Sequence, residues 1–227
     1  MQIQGAIFDM DGTLGDTVFV SVEAIVRTAF QLTGNHYTHD EIIARFGPTE
    51  PGILRQLVPQ TQWEECTRLF FDHYEVLHQQ HRIGAFPGIQ EILDLLHQHD
   101  IRQAIVTGKS RRSAEISLKY FSLNGYFEAV ETGSLMGSGK KASILKVLES
   151  WQIPPETVCY VGDAPTDVTI ARSTGLQPIS VSWDRNANPT LLAQQNPYAL
   201  FEQVKDMKSW LESHLNGSMP EEESHVS

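Results

Sequence analysis

Two carboxylates stand two positions apart where an apolar run stops, in Gly5-Ala6-Ile7-Phe8-Asp9-Met10-Asp11-Gly12. Like charges this close raise each other's pKa, and they are costly unless a cation sits between them or one holds a proton. Polar groups end other apolar runs too. Thr107-Gly108 comes after Ile101–Val106, and Gly162-Asp163 after Val158–Val161, with Asp167 four residues further on. Lys140 stands before the stretch that leads into the last of these runs. The chemistry that suits this set is phosphoryl transfer. Asp9, Asp163 and Asp167 offer oxygen ligands to a hard divalent cation such as Mg2+, which takes one or two carboxylates together with waters and substrate phosphate. Thr107 and the Gly108 amide can hydrogen-bond phosphate oxygens, and Lys140 adds a positive charge. One aspartate can attack phosphorus to form an aspartyl-phosphate, and a second can move the protons.

These groups meet only if the chain brings several strand ends together. Residues 3–9 read as a short buried strand. From Phe86-Pro87-Gly88 onward helix and strand alternate. Helices are expected over 89–99, 110–121, 141–151 and 166–173, and strands over 101–107, 127–131, 157–162 and 178–182. Such alternation implies an α/β fold, a Rossmann-like parallel sheet with helices on both faces. The runs Ile101–Thr107 and Val158–Gly162 are continuously apolar, as strands buried on both faces are. A last amphipathic helix is expected over about 199–215, with Phe201, Val204, Leu211 and Leu215 on its apolar face. Ligands of open parallel sheets bind beyond the carboxyl ends of the strands, the edge that Asp9, Thr107 and Asp163 would share.

Residues 15–84 show no strand pattern. Helices are expected over 17–31, about 38–46, 50–57 and 61–82, the second opened by the capping box Thr38-His39-Asp40-Glu41. This all-helical block leaves the chain directly after the carboxylate pair, placed to cover the site. The expected organisation is therefore a core made of residues 1–14 and 85–216, with a helical cap over 15–84. The acidic tail, 217–227, has few apolar anchors and reads as disordered.

Composition narrows the partners. The chain has 227 residues, 41% hydrophobic and 20% charged, which is ordinary for a globular protein. A formal net charge of -11 disfavours nucleic acid and anionic membranes, which need a basic face. No apolar run approaches the ~20 residues that span a bilayer, and no signal-peptide pattern is present. Cys66 and Cys159 lie far apart and read as reduced structural thiols. A cytoplasmic protein, monomeric by default, is the expectation.

The segment Asp9-Met10-Asp11-Gly12-Thr13-Leu14 resembles the first motif of the haloacid dehalogenase-like hydrolase superfamily. Thr107 in Ile105-Val106-Thr107-Gly108-Lys109 resembles the second, Lys140 the third, and Gly162-Asp163-Ala164-Pro165-Thr166-Asp167 the fourth. All four stand in family order, and the resemblance covers roughly residues 3–215. It implies that Asp9 is the nucleophile and a Mg2+ ligand. It makes Asp11 the general acid/base, with its main-chain carbonyl on the metal. Thr107, the Gly108 amide and Lys140 would hold the phosphoryl group, with Asp163 and Asp167 ligating or supporting the metal. The helical insert resembles the small cap of the phosphoglycolate phosphatase-like branch. Two departures stand out. Lys141 follows Lys140 and could take its role, and Gly15 stands where relatives often carry a bulkier residue, which would loosen the hinge into the cap.

The implied activity is a Mg2+-dependent phosphatase acting on a small phosphorylated metabolite. A sugar-phosphate mutase, an inorganic pyrophosphatase and a non-catalytic binding protein on the same fold are the alternatives. Asp11 argues against a dehalogenase, which should lack this second carboxylate. A phosphonatase would want a lysine in the cap, and residues 15–84 contain none. Other patterns carry less. Gly108-Lys109-Ser110 is similar to the end of a phosphate-binding P-loop, but Gln103 stands where its first glycine is needed. His73, His78 and His81 lack a further ligand at metal spacing and are expected on a solvated helix face. Arg111 and Arg112 read as surface charges. Phe46-Gly47-Pro48-Thr49-Glu50 is either a specificity loop or a helix-ending turn.

Overall fold

Gly5–Phe8, the run that leads into Asp9, forms a strand, β1, with all four residues buried. Strands β2 (Arg102–Val106) and β4 (Val158–Gly162) flank it, both parallel to it. β3 (Ala129–Glu131) lies outside β2, and β5 (Gln177–Val181) and β6 (Ala199–Phe201) lie outside β4. The sheet order is β3-β2-β1-β4-β5-β6, parallel throughout. The computed structural model describes residues 2–137 and 139–216, so the expected disordered tail lies outside the described residues.

A parallel sheet must be covered on both faces, and strand alternation sorts the side chains between two cores. Phe8, Ile105, Val161 and Ile179 point to one face. There they pack on α5 (Ile89–Gln98), α6 (Arg111–Phe121) and α10 (Val204–Asn216). Ile7, Val106 and Tyr160 point to the other, against α7 (Lys140–Trp151) and α8 (Pro165–Ser173). Ile7 and Phe8 are each about fully buried, worth roughly 1.5–3 kcal/mol apiece. That burial fixes the strand whose last carbonyl precedes Asp9.

Between β1 and α5 the chain forms only helices, chiefly α1 (Val18–Thr33), α2 (His39–Ile43), α3 (Glu50–Leu54) and α4 (Trp63–His81). They enclose a third apolar cluster, centred on Val22, Ile25, Ile42, Phe70, Tyr74 and Leu77. The Thr38 cap forms as a reciprocal pair: Glu41 N donates to Thr38 Oγ1 at 3.2 Å, and Thr38 N donates to Glu41 Oε2 at 2.8 Å. The cluster also takes in Ile116 and Tyr120 of α6, so the helical segment is seated on the sheet's own covering helix.

Two expectations need correction. Residues 199–201 are not the start of the last helix. They pair with β5 as an edge strand, Ser182 N donating to Phe201 O at 2.9 Å, and the helix begins at Val204. A short helix, α9 (Pro189–Gln194), precedes that strand, capped by Asn188 Oδ1, which accepts from Leu191 N at 3.1 Å. His78 is not on a solvated face. It is fully buried where α4 meets α6, its Nδ1 2.9 Å from Tyr74 O and its Nε2 3.3 Å from Ser117 Oγ. Tyr74 Oη lies 2.8 Å from the same hydroxyl. Among the described residues no helix is long and apolar enough to cross a membrane.

Candidate active site

The sheet's carboxyl edge gathers the polar groups because each strand stops there. Asp9 N still donates to Val161 O at 2.9 Å, so its side chain leaves the ladder at the edge itself. The chain then turns at Gly12, whose φ of 74° is left-handed. A Cβ at this position would overlap the Asp163 carboxylate, so a glycine lets Asp163 approach. Asp163 follows β4 directly, and Asp167 lies in the first turn of α8, where its Oδ2 accepts from Ala164 N at 3.2 Å. Lys140 is the first residue of α7.

These four side chains form one cluster. Ligand oxygens of Asp9, Asp163 and Asp167 all lie within 4.8 Å of one another. Lys140 Nζ stands 3.0 Å from Asp9 Oδ2 and 2.8 Å from Asp167 Oδ1. Burial, then the charges of Asp9 and Asp167, push the Asp163 carboxyl up to about 8. Burial raises Asp9 to about 6, with Lys140 opposing and Asp167 and Asp11 adding to the rise. Burial alone would lower Lys140, but Asp167 and Asp9 hold its ammonium well above the ordinary lysine value. Asp9 Oδ1 is buried with no hydrogen-bond partner. Three convergent carboxylates against one lysine, with an orphaned oxygen aimed among them, fit a hard divalent cation.

The Asp11 carboxylate takes no part in this group. Its Oδ1 accepts from Thr17 Oγ1 and, at 2.8 Å, from Lys109 Nζ. Lys109 is 2% exposed, an unusual place for an ammonium. Its Nζ also lies 2.9 Å from Ser21 Oγ, 3.5 Å from Glu50 Oε1 and 5.0 Å from the centre of the Tyr74 ring. Burial pulls its pKa down, yet Asp11, Tyr74 and Glu50 together hold it well above the usual value. Thr107 is buried beside it, its Oγ1 accepting from Lys109 N at 3.3 Å. Ser21 and Thr17 carry no site expectation from the sequence, while Lys109 enters as the end of the second motif and Glu50 as the end of the Phe46–Glu50 loop. One signal existed: Lys109 directly follows Thr107-Gly108.

A cavity of about 480 Å3 opens beside these groups, between the sheet edge and the helical segment. Gly108, Lys109, Lys140 and Asp11 line its floor, and Val18, Glu50 and Ile53 of the helices and Phe46 and Pro48 of the loop between α2 and α3 face them. The Phe46–Glu50 loop therefore does more than end a helix. Thr49 N donates to Ser134 O at 3.0 Å, which ties the loop to the segment after β3. Lys141, Arg111 and Arg112 are exposed. Gly15 corrects another expectation. A Cβ there would overlap the Phe121 ring and lie 2.9 Å from Gly84 O, so this glycine packs tightly and does not loosen a hinge.

Comparison with known proteins follows the same geometry. Residues 6–181 match the haloacid dehalogenase-like hydrolase family. A pyrophosphatase PpaX of Anoxybacillus flavithermus is 27% identical, covering 93% of this chain and 98% of its own. A phosphoglycolate phosphatase of Synechococcus elongatus is 28% identical, covering 84% of this chain and 89% of its own. The crystal structure of CbbY from Rhodobacter sphaeroides in complex with phosphate superposes with a TM-score of 0.74 at 19% identity, covering 91% and 96%. The order of strands, the carboxylates at their ends and the match over most of the length lead to one conclusion: the chain belongs to the haloacid dehalogenase-like hydrolase family.

Proposed function

We propose that the protein is a Mg2+-dependent phosphatase that hydrolyses a small phosphorylated metabolite through a phospho-Asp9 intermediate. The observation that carries this reading is the convergence of Asp9, Asp163 and Asp167, with Lys140, which pairs with Asp9 and Asp167 and also lines the cavity. Asp9, with its orphaned oxygen, is the nucleophile: the oxygen bonds to phosphorus as the ester P–O bond breaks. Asp11 gives its proton to the departing alkoxide. It then takes one from water, whose oxygen displaces Asp9 and releases inorganic phosphate. Thr107, the Gly108 amide and Lys140 hold the phosphoryl oxygens. A divalent cation held by Asp9, Asp163 and Asp167, with the Asp11 carbonyl, would neutralise charge on those oxygens.

Residues 15–84 act in this reading as a cap over a core of 1–14 and 85–216, excluding water from the cavity. The cap side of the cavity contributes Val18, Phe46, Pro48 and Ile53, and one carboxylate, Glu50. Among the described residues that line it, the cations Lys109 and Lys140 are both paired with carboxylates. This lining favours the ester of a neutral alcohol over pyrophosphate, whose second phosphate would face Glu50. The net charge of -11 supports a small-molecule substrate rather than nucleic acid or an anionic membrane. The two buried free thiols suit a cytoplasmic setting.

The test is phosphate release from an aryl phosphate and a panel of metabolite phosphates, with Mg2+ or with EDTA. Wild-type turnover should require the cation. Asp9→Asn should lose at least about a thousandfold in kcat while its unfolding midpoint stays within a few degrees. Near wild-type turnover in that variant would remove Asp9 from the role of nucleophile.

A further inference from the structure

Lys109 Nζ donates hydrogen bonds to two groups within the protein, and a third, acidic, group stands at ion-pair distance. Asp11 Oδ1 lies 2.8 Å away, Ser21 Oγ 2.9 Å and Glu50 Oε1 3.5 Å. The Tyr74 ring closes the remaining side at 5.0 Å. The ammonium is thus spent inside the fold, although it lines the cavity. Of its partners, only Asp11 comes from the loop after β1. Ser21, Glu50 and Tyr74 all come from the helical segment. Glu50 is held in turn by Ser110 N, which donates to its Oε2 at 2.9 Å, and Thr49 N anchors the same turn to Ser134 O.

We propose that Lys109 is a positioning residue that couples docking of the helical segment to the orientation of Asp11. With the segment seated, Ser21 and Glu50 fix the ammonium, and the ammonium fixes one oxygen of Asp11. With the segment lifted, Lys109 keeps a single partner and Asp11 gains rotational freedom. The general acid/base is then ready only over a covered cavity, where a proton it moves reaches the substrate or the attacking water. This role rests on the phosphatase reading, with Asp11 as the acid/base.

Leaving-group dependence separates this role from a phosphate-binding one. A nitrophenyl phosphate departs without a proton, whereas an alkyl phosphate needs one from Asp11. In single-turnover measurements of alcohol release, Lys109→Met should lose about 10²-fold more on the alkyl than on the aryl substrate, since general acid catalysis contributes on that scale. KM should change less than about threefold. Glu50→Gln should show the same selective loss at a smaller size, about tenfold, and the double variant should be no worse than Lys109→Met, as for residues acting as one unit. Equal losses on both substrates, or a raised KM with kcat kept, would overturn the positioning role and make Lys109 a phosphate ligand. If Lys109→Met does not fold, Glu50→Gln decides alone by the same comparison. A wild type inactive on both substrates in Mg2+ would instead sink the phosphatase reading, and this role with it.

Discussion

Asp163 holds its proton up to about pH 8 and Asp9 to about pH 6, both from an ordinary value of 3.8. A carboxyl raised on folding binds its proton more tightly in the native chain than in the unfolded one. Stability therefore falls as pH rises through that window, from about 4 toward 8. A divalent cation seated on the same oxygens would replace the proton and offset the loss. In EDTA the unfolding midpoint should drop between pH 5 and pH 8, and saturating Mg2+ should raise it more at pH 8 than at pH 5. Scanning calorimetry at the two pH values reads this directly, and an equal shift at both would separate the cluster from cation binding. Asp9, Thr107, Lys140, Asp163 and Asp167 could all be picked out along the chain, because each ends an apolar strand or opens a helix beside one. Lys109 and Glu50 could not. Their pairing joins a strand end to a distant helix turn, and only docking brings them together.

Elements with a strong period of their own were legible, and elements defined by a neighbour were not. The Thr38-Glu41 cap forms as read, and the four inner strands, β1, β2, β4 and β5, lie within two residues of their expected bounds. β6 escaped notice because three residues, Ala199–Phe201, have no period to show, and their backbone is satisfied by β5 alone. Continuity with the apolar residues of α10 made one helix of two elements. Gly15 shows the same limit from the other side, since Phe121 and Gly84, both far along the chain, make it tight. Gly15→Ala should cost about 1–3 kcal/mol by overpacking, read as a lower urea midpoint with an unchanged slope. A neutral or stabilising result would mean that Phe121 yields freely and that the crossing into the helices is slack after all.

At the scale of the molecule, the helical segment meets the sheet's covering helix at the seam between α4 and α6. Tyr74 and His78 share Ser117, and Lys119 pairs with Glu75 at 2.7 Å. Burial first, and the nearby Lys109 charge, push His78 down to about 4 from 6.5. A histidine depressed on folding supports the native state fully above its unfolded value and loses that support as pH falls from 6.5 toward 4. The loss can reach about 3 kcal/mol. Acid should therefore open this seam before the sheet: at pH 5, amides of α4 should exchange faster relative to those of β4 than they do at pH 7. Uniform acceleration across both elements would mean that the helical segment and the sheet unfold as one. The position of β1 has a further consequence, for synthesis rather than catalysis. Gly5–Phe8 is synthesised well before its partners, which begin at Arg102 and Val158. The helical segment, with an apolar cluster largely its own, can condense while the most buried strand still waits for both neighbours. The carboxylates of Asp9 and Asp11 are thus translated long before the groups that surround them, so a nascent chain carries the pair long before it carries the cluster around it.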